Sequence, residues 1–329
     1  TISPMKRPLS LALVHWLRKH HLLPDRVTLA TEAEDLLKQL HDRATEAPES
    51  LSRLTSRDLG VSPEHLEQLL DILVRDGFVH PHSLRLTELG EQRALELIRA
   101  HRLYELYLAE HSGYAPADWH RIAHSKEHQL TPEEHERIAL LLGNPLFDPH
   151  GDPIPTSSGQ APSQPNTLPI EALHVGSWYR VLHVEDDEAE SYRLLTDAGL
   201  TRDSVFRLDR LQSARSALFY EGEEIALPTF ALLALTLREA TEEELADSHA
   251  MTAQRLTHLP LGEEATVCGL SPACRGAMRR RLMDLGFVPG SRISVDMPSP
   301  LGNPTAYIVR GAAIALRRDQ ARHILIQRP

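Results

Sequence analysis

Cysteine is almost missing from this chain: Cys268 and Cys274 are the only two in 329 residues. That scarcity excludes a disulfide framework and suits a reducing compartment. Two thiols six apart, with no companion cysteines, do not make a zinc site, so both are read as free thiols. Aromatic residues are few, at 5%, which leaves leucine and alanine to fill the cores. No apolar run is long enough to span a bilayer; Leu9 to Leu17 is too short and is flanked by Lys6, Arg7, Arg18 and Lys19. No glycine-rich phosphate loop, nucleophile elbow or catalytic triad stands out, so the chain is not read as an enzyme. Positive charge is also lacking. The formal net charge is −11, so any contact with nucleic acid needs a local basic patch.

Histidine, by contrast, is abundant, with 19 in the chain. His15, His20 and His21 are read as exposed surface. The informative group is His120, His124, Glu127 and His128. On a helix each residue advances about 100°, so offsets of four, seven and eight return to one face. Three imidazoles and a carboxylate are a poor hydrophobic face and a good cage for a divalent ion. His101 and Glu105, four apart on the preceding helix, add a second pair of donors. Ligands of this kind, without thiolate, suit iron(II), manganese(II) or zinc.

Periodicity divides the chain. Residues 1–29 form a basic extension. The chain starts at Thr1, which is read as a remnant or as a cut from a longer protein; in the second case the basic segment would lie just inside a membrane. Residues 30–100 read as a winged helix-turn-helix: a helix with Leu36, Leu37 and Leu40 at helical spacing, a short one over Leu51 to Leu59, and one capped by Ser62 with Pro63 in its first turn. A small hairpin follows around Pro81-His82-Ser83, and Thr87 caps a long helix. Residues 101–148 form a helical metal-binding and dimerisation domain, with one helix over Trp119 to Gln129. Residues 149–169, rich in Pro, Gly and Ser, are expected to link without a core of their own. An internal repeat comes next: Arg193-Leu194-Leu195-Thr196-Asp197-Ala198-Gly199-Leu200 is echoed by Arg281-Leu282-Met283-Asp284-Leu285-Gly286-Phe287. Each copy leads into β-rich runs and a short apolar helix. Two small SH3-like β-barrels, 170–240 and 251–329, are the economical reading. The whole is α+β.

Several of these runs carry a resemblance. Arg75-Asp76-Gly77, His101-Arg102-Leu103-Tyr104-Glu105, Glu127-His128, Leu142-Gly143-Asn144-Pro145 and Pro149-His150-Gly151-Asp152-Pro153-Ile154-Pro155 resemble the diphtheria-toxin-repressor family of metal-dependent regulators. The end of the chain resembles the FeoA family of ferrous-iron-transport adaptors, through Arg281 to Gly286, Pro289-Gly290, Pro300-Leu301-Gly302 and Gly311. The first resemblance implies a primary metal site of Asp35, His124, Glu127 and His128. It also implies an ancillary site of His101, Glu105 and His120, completed by an acid from the barrel, for which Glu188 fits the register. Lys38 stands where manganese-type members carry a further acid, which argues against a binuclear cluster. The FeoA-like tail tilts the choice of ion towards iron(II).

The same resemblance implies a cytoplasmic homodimer that binds DNA when metal closes it. Its recognition helix would present Ser62, Glu64, His65 and Gln68, with Glu67 and Asp71 beside them. Acids on that face repel phosphate, although Gln68 suits adenine and a carboxylate can accept from cytosine. The alternative is a cytosolic metal-sensing and adaptor module that acts on, or is fused to, a membrane metal transporter. Arg275, Arg279, Arg280 and Arg281 read first as a solvated helix face and second as a docking surface.

Overall fold

The computed structural model describes residues 26–46, 55–163, 167–186 and 188–328. The basic extension up to residue 25, with His15, His20 and His21, lies outside them. The chain forms two compact units. One takes in residues up to Ala100 together with Glu127–Pro132 and Pro155–Gln160; the other holds His101–Lys126, Glu133–Ile154 and Ala161–Pro329.

The first unit is built on α1 (Arg26–Glu46), α2 (Pro63–Arg75) and the opening half of α3 (Glu88–His111). Leu36, Leu37 and Leu40 of α1 meet Leu69 and Leu73 of α2, with Val79 and Ala94, in one buried cluster. The Ser62 hydroxyl accepts from His65 N and so caps α2, as its position before Pro63 predicts. The wing is shorter than expected: one bridge, Val79 to Leu86, flanked by bonds from His80 N to Arg85 O and from Thr87 N to Phe78 O. Of the helix expected over Leu51 to Leu59, residues 51–54 lie outside the description. Residues 55–60 make turns, because the Asp58 carboxylate accepts from both the amide and the hydroxyl of Thr55. Residues 155–160 join this unit, where Arg99 donates to the Pro155 carbonyl at 2.7 Å.

The second unit continues α3 and adds α4 (Pro116–Glu127, its last residue in the first unit) and α5 (Pro132–Leu141). Two antiparallel sheets follow. The first holds β1 (Trp178–Val184), β2 (Val205–Arg210), β3 (Arg215–Tyr220), β4 (Glu223–Pro228) and β5 (Leu235–Glu239), in the order β4-β3-β2-β1-β5. The second holds β6 (Gln254–Arg255), β7 (Glu264–Leu270), β8 (Arg292–Pro298), β9 (Thr305–Val309), β10 (Ala312–Leu316) and β11 (Ile324–Gln327), in the order β10-β9-β8-β7-β11-β6. Leaving β6 aside, the two orders are the same.

The repeated motif is the helix between the first and second strands of each copy: α6 (Ala189–Ala198) and α7 (Gly276–Asp284). Each is followed by a fully buried apolar residue, Leu200 and Phe287. A single helical turn comes late in each copy, at Thr229–Leu232 and Arg318–Ala321. The sequence reading ended the repeat there. Each copy in fact goes on to one more strand, β5 or β11, which pairs antiparallel with β1 or β7, the first strand of its own copy.

The supposed linker is also only half a linker. His150 and Ile154 are buried, and Phe147 bridges Pro153. The Asp148 carboxylate accepts from the amides of His150, Gly151 and Asp152 and so ties the loop into a tight turn. Gly151 is required there. Its φ is +109°, and a Cβ would stand 2.1 Å from the Leu182 carbonyl oxygen.

The last domain docks within this unit. Arg255 reaches Glu221 at 2.9 Å and Glu223 at 2.8 Å on the first sheet. Arg275 pairs with Glu110 of α3 at 3.3 Å, and Arg280 donates to the Glu110 carbonyl. The arginine run of α7 is therefore partly an internal clamp, a role neither sequence reading gave it. Cys268 and Cys274 are free thiols, and burial pushes both up to about 11.

Candidate metal centre

The first unit gathers Asp35, Glu127 and His128. α1 presents Glu34 and Asp35, while α4 ends at Glu127 and places His128 in the turn just beyond it. Nε2 of His128 is 3.1 Å from Asp35 Oδ1 and 3.2 Å from Glu127 Oε1. Its other nitrogen, Nδ1, lies 2.7 Å from Glu34 Oε2. Both ring nitrogens face carboxylates, so the ring carries both protons. Burial alone would lower its pKa; the hydrogen bonds to Asp35, Glu127 and Glu34 outweigh that and push it up to about 11. Arg93 holds Glu34 in turn, at 2.6 and 3.0 Å.

Glu127 is fully buried and takes a second partner, the Lys38 ammonium, at 2.7 Å. Lys38, expected from the sequence beside the ion, is thus paired with one of its acids. Glu34 and Arg93 are additions that the sequence expectation lacks. The signal was available: Glu34 adjoins Asp35, and a histidine ligand commonly donates its second N–H to a carboxylate. His124 sits one helical turn before His128 on α4, in the second unit, with its ring stacked 6.4 Å from that of His120.

The second unit gathers the other donors. His101 Nε2 is 3.1 Å from Glu105 Oε1 and 3.3 Å from His120 Nδ1, and His120 Nδ1 is 3.3 Å from the same Glu105 oxygen. Asp186 Oδ2 closes the group at 3.6 Å from His120. Glu188, the acid expected from the register, is elsewhere. Its exposed carboxylate caps α6 by accepting from Glu190 N and Ser191 N. Asp186 stands two residues earlier, just after β1, where a loose register could not locate it.

His150 is the second surprise. It is 3% exposed, and its Nε2 has no hydrogen-bond partner among the described residues. That atom lies 3.7 Å from Asp186 Oδ2 and 3.9 Å from Glu105 Oε2. A buried, orphaned nitrogen between two carboxylates is costly unless something cationic joins them. Burial would raise the Glu105 carboxyl, but its bonds to His101 and His120 hold it well below the usual carboxylate range. The donors are nitrogen and oxygen throughout, and they fit a divalent transition ion.

The recognition-helix residues divide between internal contacts and the surface. Ser62 is spent on the cap, and His65 Nε2 lies 2.7 Å from Glu32 of α1. Glu64, Glu67, Gln68 and Asp71 remain exposed.

Residues 87–156 match the family described as iron dependent repressor, metal binding and dimerisation domain, and residues 254–328 match the FeoA domain. The chain resembles the metal-dependent repressors. The iron-dependent repressor IdeR of Mycobacterium bovis is 26% identical over 216 residues, which are 61% of this chain and 94% of that protein. A manganese-dependent transcriptional repressor in complex with manganese superposes with a TM-score of 0.53 at 27% identity, over 63% of this chain and all of that one. A probable metal transport system membrane protein of Chlamydia trachomatis is 37% identical over 86 residues, or 26% of this chain. This chain spans only 19% of that transport protein. Among the described residues, no helix is long and apolar enough to cross a membrane.

Proposed function

We propose that this chain is a metal-responsive transcriptional regulator of metal homeostasis that acts as a cytoplasmic homodimer. The ion is iron(II), with manganese(II) and zinc accepted by the same donors. The primary ligands are Asp35, Glu127 and His128, joined by His124 from the turn before. The ancillary ligands are His101, Glu105 and His120, with Asp186 in place of Glu188 and His150 as an added donor.

The observation that carries this reading is the convergence of His128 Nε2, Asp35 Oδ1 and Glu127 Oε1, with Nδ1 of the same ring set on Glu34. A bound ion supplies two positive charges that acids from two separate helices can share. Asp35 belongs to α1, which packs on α2, whereas Glu127 is the last residue of α4 and His128 stands in the turn after it. Binding therefore fixes α1, and through it the presentation of α2. Glu105, His101, His120 and Asp186 draw the first sheet onto α3 and α4 in the same way. Gln68, with Glu64 beside it, is the base-reading residue left on α2 once Ser62 and His65 are committed to internal contacts.

Anaerobic calorimetry with iron(II) tests the sites: wild type takes up metal, and Glu127→Ala combined with His128→Ala abolishes the tighter binding. Unchanged uptake would refute the assignment. A second reading is favoured by the acidic outer face of α2 and by the similarity to a metal transport membrane protein. In it the chain is a sensing module for a transporter. A gel shift with the protein's own promoter region decides between them. An iron(II)-dependent shift at low salt supports the regulator, and its absence supports the transporter module.

A further inference from the structure

A cavity of about 780 Å³ lies in the second unit between α4, α6 and the FeoA-type domain. Its size falls within the range of small-molecule sites rather than macromolecular grooves. Its walls carry an unusual number of arginines. Most have partners: Arg255 has Glu221 and Glu223, Arg275 has Glu110, and Arg322 donates to the Asp197 carbonyl at the end of α6. Of the cavity's acids, Glu221 is held by Arg255 and Asp186 lies 3.6 Å from His120, while Asp197 is exposed at the end of α6.

Two arginines differ. Neither Arg193 nor Arg202 has a carboxylate within ion-pair distance among the described residues. Asp203, beside Arg202 in sequence, is held by Arg180 at 2.7 Å. The Arg202 guanidinium lies over the Phe147 ring at 4.8 Å. Burial, most of all, and the Arg275 charge disfavour its ionised form and outweigh the pull of Asp203 and Asp148, neither of which is within ion-pair reach. Burial, with Arg322 and Arg255, likewise holds His323 neutral, at about 4. A half-buried guanidinium with no carboxylate in ion-pair reach keeps its donors for a ligand, and planar guanidinium groups are matched to carboxylate and phosphate oxygens.

We propose that this cavity binds a compact small molecule carrying two or more oxyanion groups, held by Arg202 and Arg193 with Arg275 behind them. Such a ligand would bridge the first sheet's domain and the FeoA-type domain. The test is calorimetry on the metal-free full chain in low-chloride buffer, so that chelation plays no part. Citrate, inorganic phosphate and uncharged sorbitol are the probes. Saturable citrate binding that is tighter than phosphate binding is expected, with none for sorbitol. Arg202→Gln should weaken it about tenfold or more. Arg193→Gln, an exposed position whose loss leaves the fold intact, should weaken it several-fold. Lys126→Gln, outside the cavity, should change nothing. The proposal is overturned by no saturable citrate binding, by citrate binding no tighter than phosphate, or by affinity that neither arginine substitution alters.

Discussion

Lys38→Met offers the sharpest test of the primary site. The ammonium sits 2.7 Å from Glu127 Oε1; the glutamate side chain is 0% exposed and that of the lysine 17%. Removing one partner of a buried pair costs about 3–5 kcal/mol, because the other charge is left unmet. Here the loss is smaller, since the His128 ring stands 3.2 Å from the same oxygen and keeps part of the compensation. About 2 kcal/mol is a reasonable expectation for the metal-free protein. The same oxygen is a proposed ligand atom, so the lysine competes with the ion for it. Freed of that competition, the variant should bind iron(II) about tenfold more tightly. The two effects must appear together: a lower melting temperature in chelator, and a larger metal-induced rise in melting temperature than in wild type. Thermal melts with and without iron(II), made without oxygen, read both. A variant that melts lower yet binds metal no better, or more weakly, would show that Glu127 is a structural ion-pair partner and not a ligand.

Three further outcomes follow from the same geometry. His128 is raised to about 11 from 6.5, so its ion pairs stabilise the metal-free unit fully below pH 6.5 and are lost as pH climbs through 11. Because that proton must leave before Nε2 can ligate, iron(II) affinity should rise about tenfold per pH unit across the neutral range. Calorimetry in buffers of different ionisation enthalpy should find about one proton released per primary ion, and a flat profile above pH 7 would contradict it. Glu34→Gln, which weakens the carboxylate orienting Nδ1, should reduce primary-site affinity about tenfold without emptying the ancillary site. Gly276→Ala should loosen the FeoA-type domain, since φ there is +56° and a Cβ would stand 2.5 Å from the Ser112 carbonyl oxygen. A destabilisation of about 1–3 kcal/mol, read as an earlier melting transition, is expected, and an unchanged melt would refute the close approach.

Much of this was legible because the signals were local. Ser62 before Pro63, leucines at helical spacing in α1 and α2, and a duplicated Arg-Leu motif each describe structure within a few residues, and each appears where the periodicity puts it. The ligand types were legible for the same reason: His101 and Glu105 are neighbours on one helix, and Glu127 and His128 are adjacent where another ends. What escaped depends on distant partners. β5 and β11 are short, and they are defined by pairing with a strand more than 40 residues earlier. The Pro-rich run around His150 reads as solvated, yet Asp148 gathers its amides and turns it inward. The barrel's acid lies outside any helix or strand, where one or two residues of register decide between Asp186 and Glu188, and no periodicity fixes that.

The primary cluster is balanced in a way that bears on how it would respond to metal. Glu34, Asp35 and Glu127 face Lys38, Arg93 and the doubly protonated His128 ring, and Arg93 also reaches Glu96 at 3.3 Å. Such a site has little net charge to attract a metal from a distance, so steering cannot account for binding. Exchange can. A divalent ion that displaces the His128 proton and the Lys38 ammonium leaves the local charge unchanged, while Arg93 keeps Glu34 in place to orient the ring. Folding without metal and binding with it are then alternatives of similar electrostatic cost, separated by which cation Asp35 and Glu127 hold. That is the condition for a responsive site: a cluster of bare acids would repel itself when empty, and one locked by a permanent internal cation would never let the ion in.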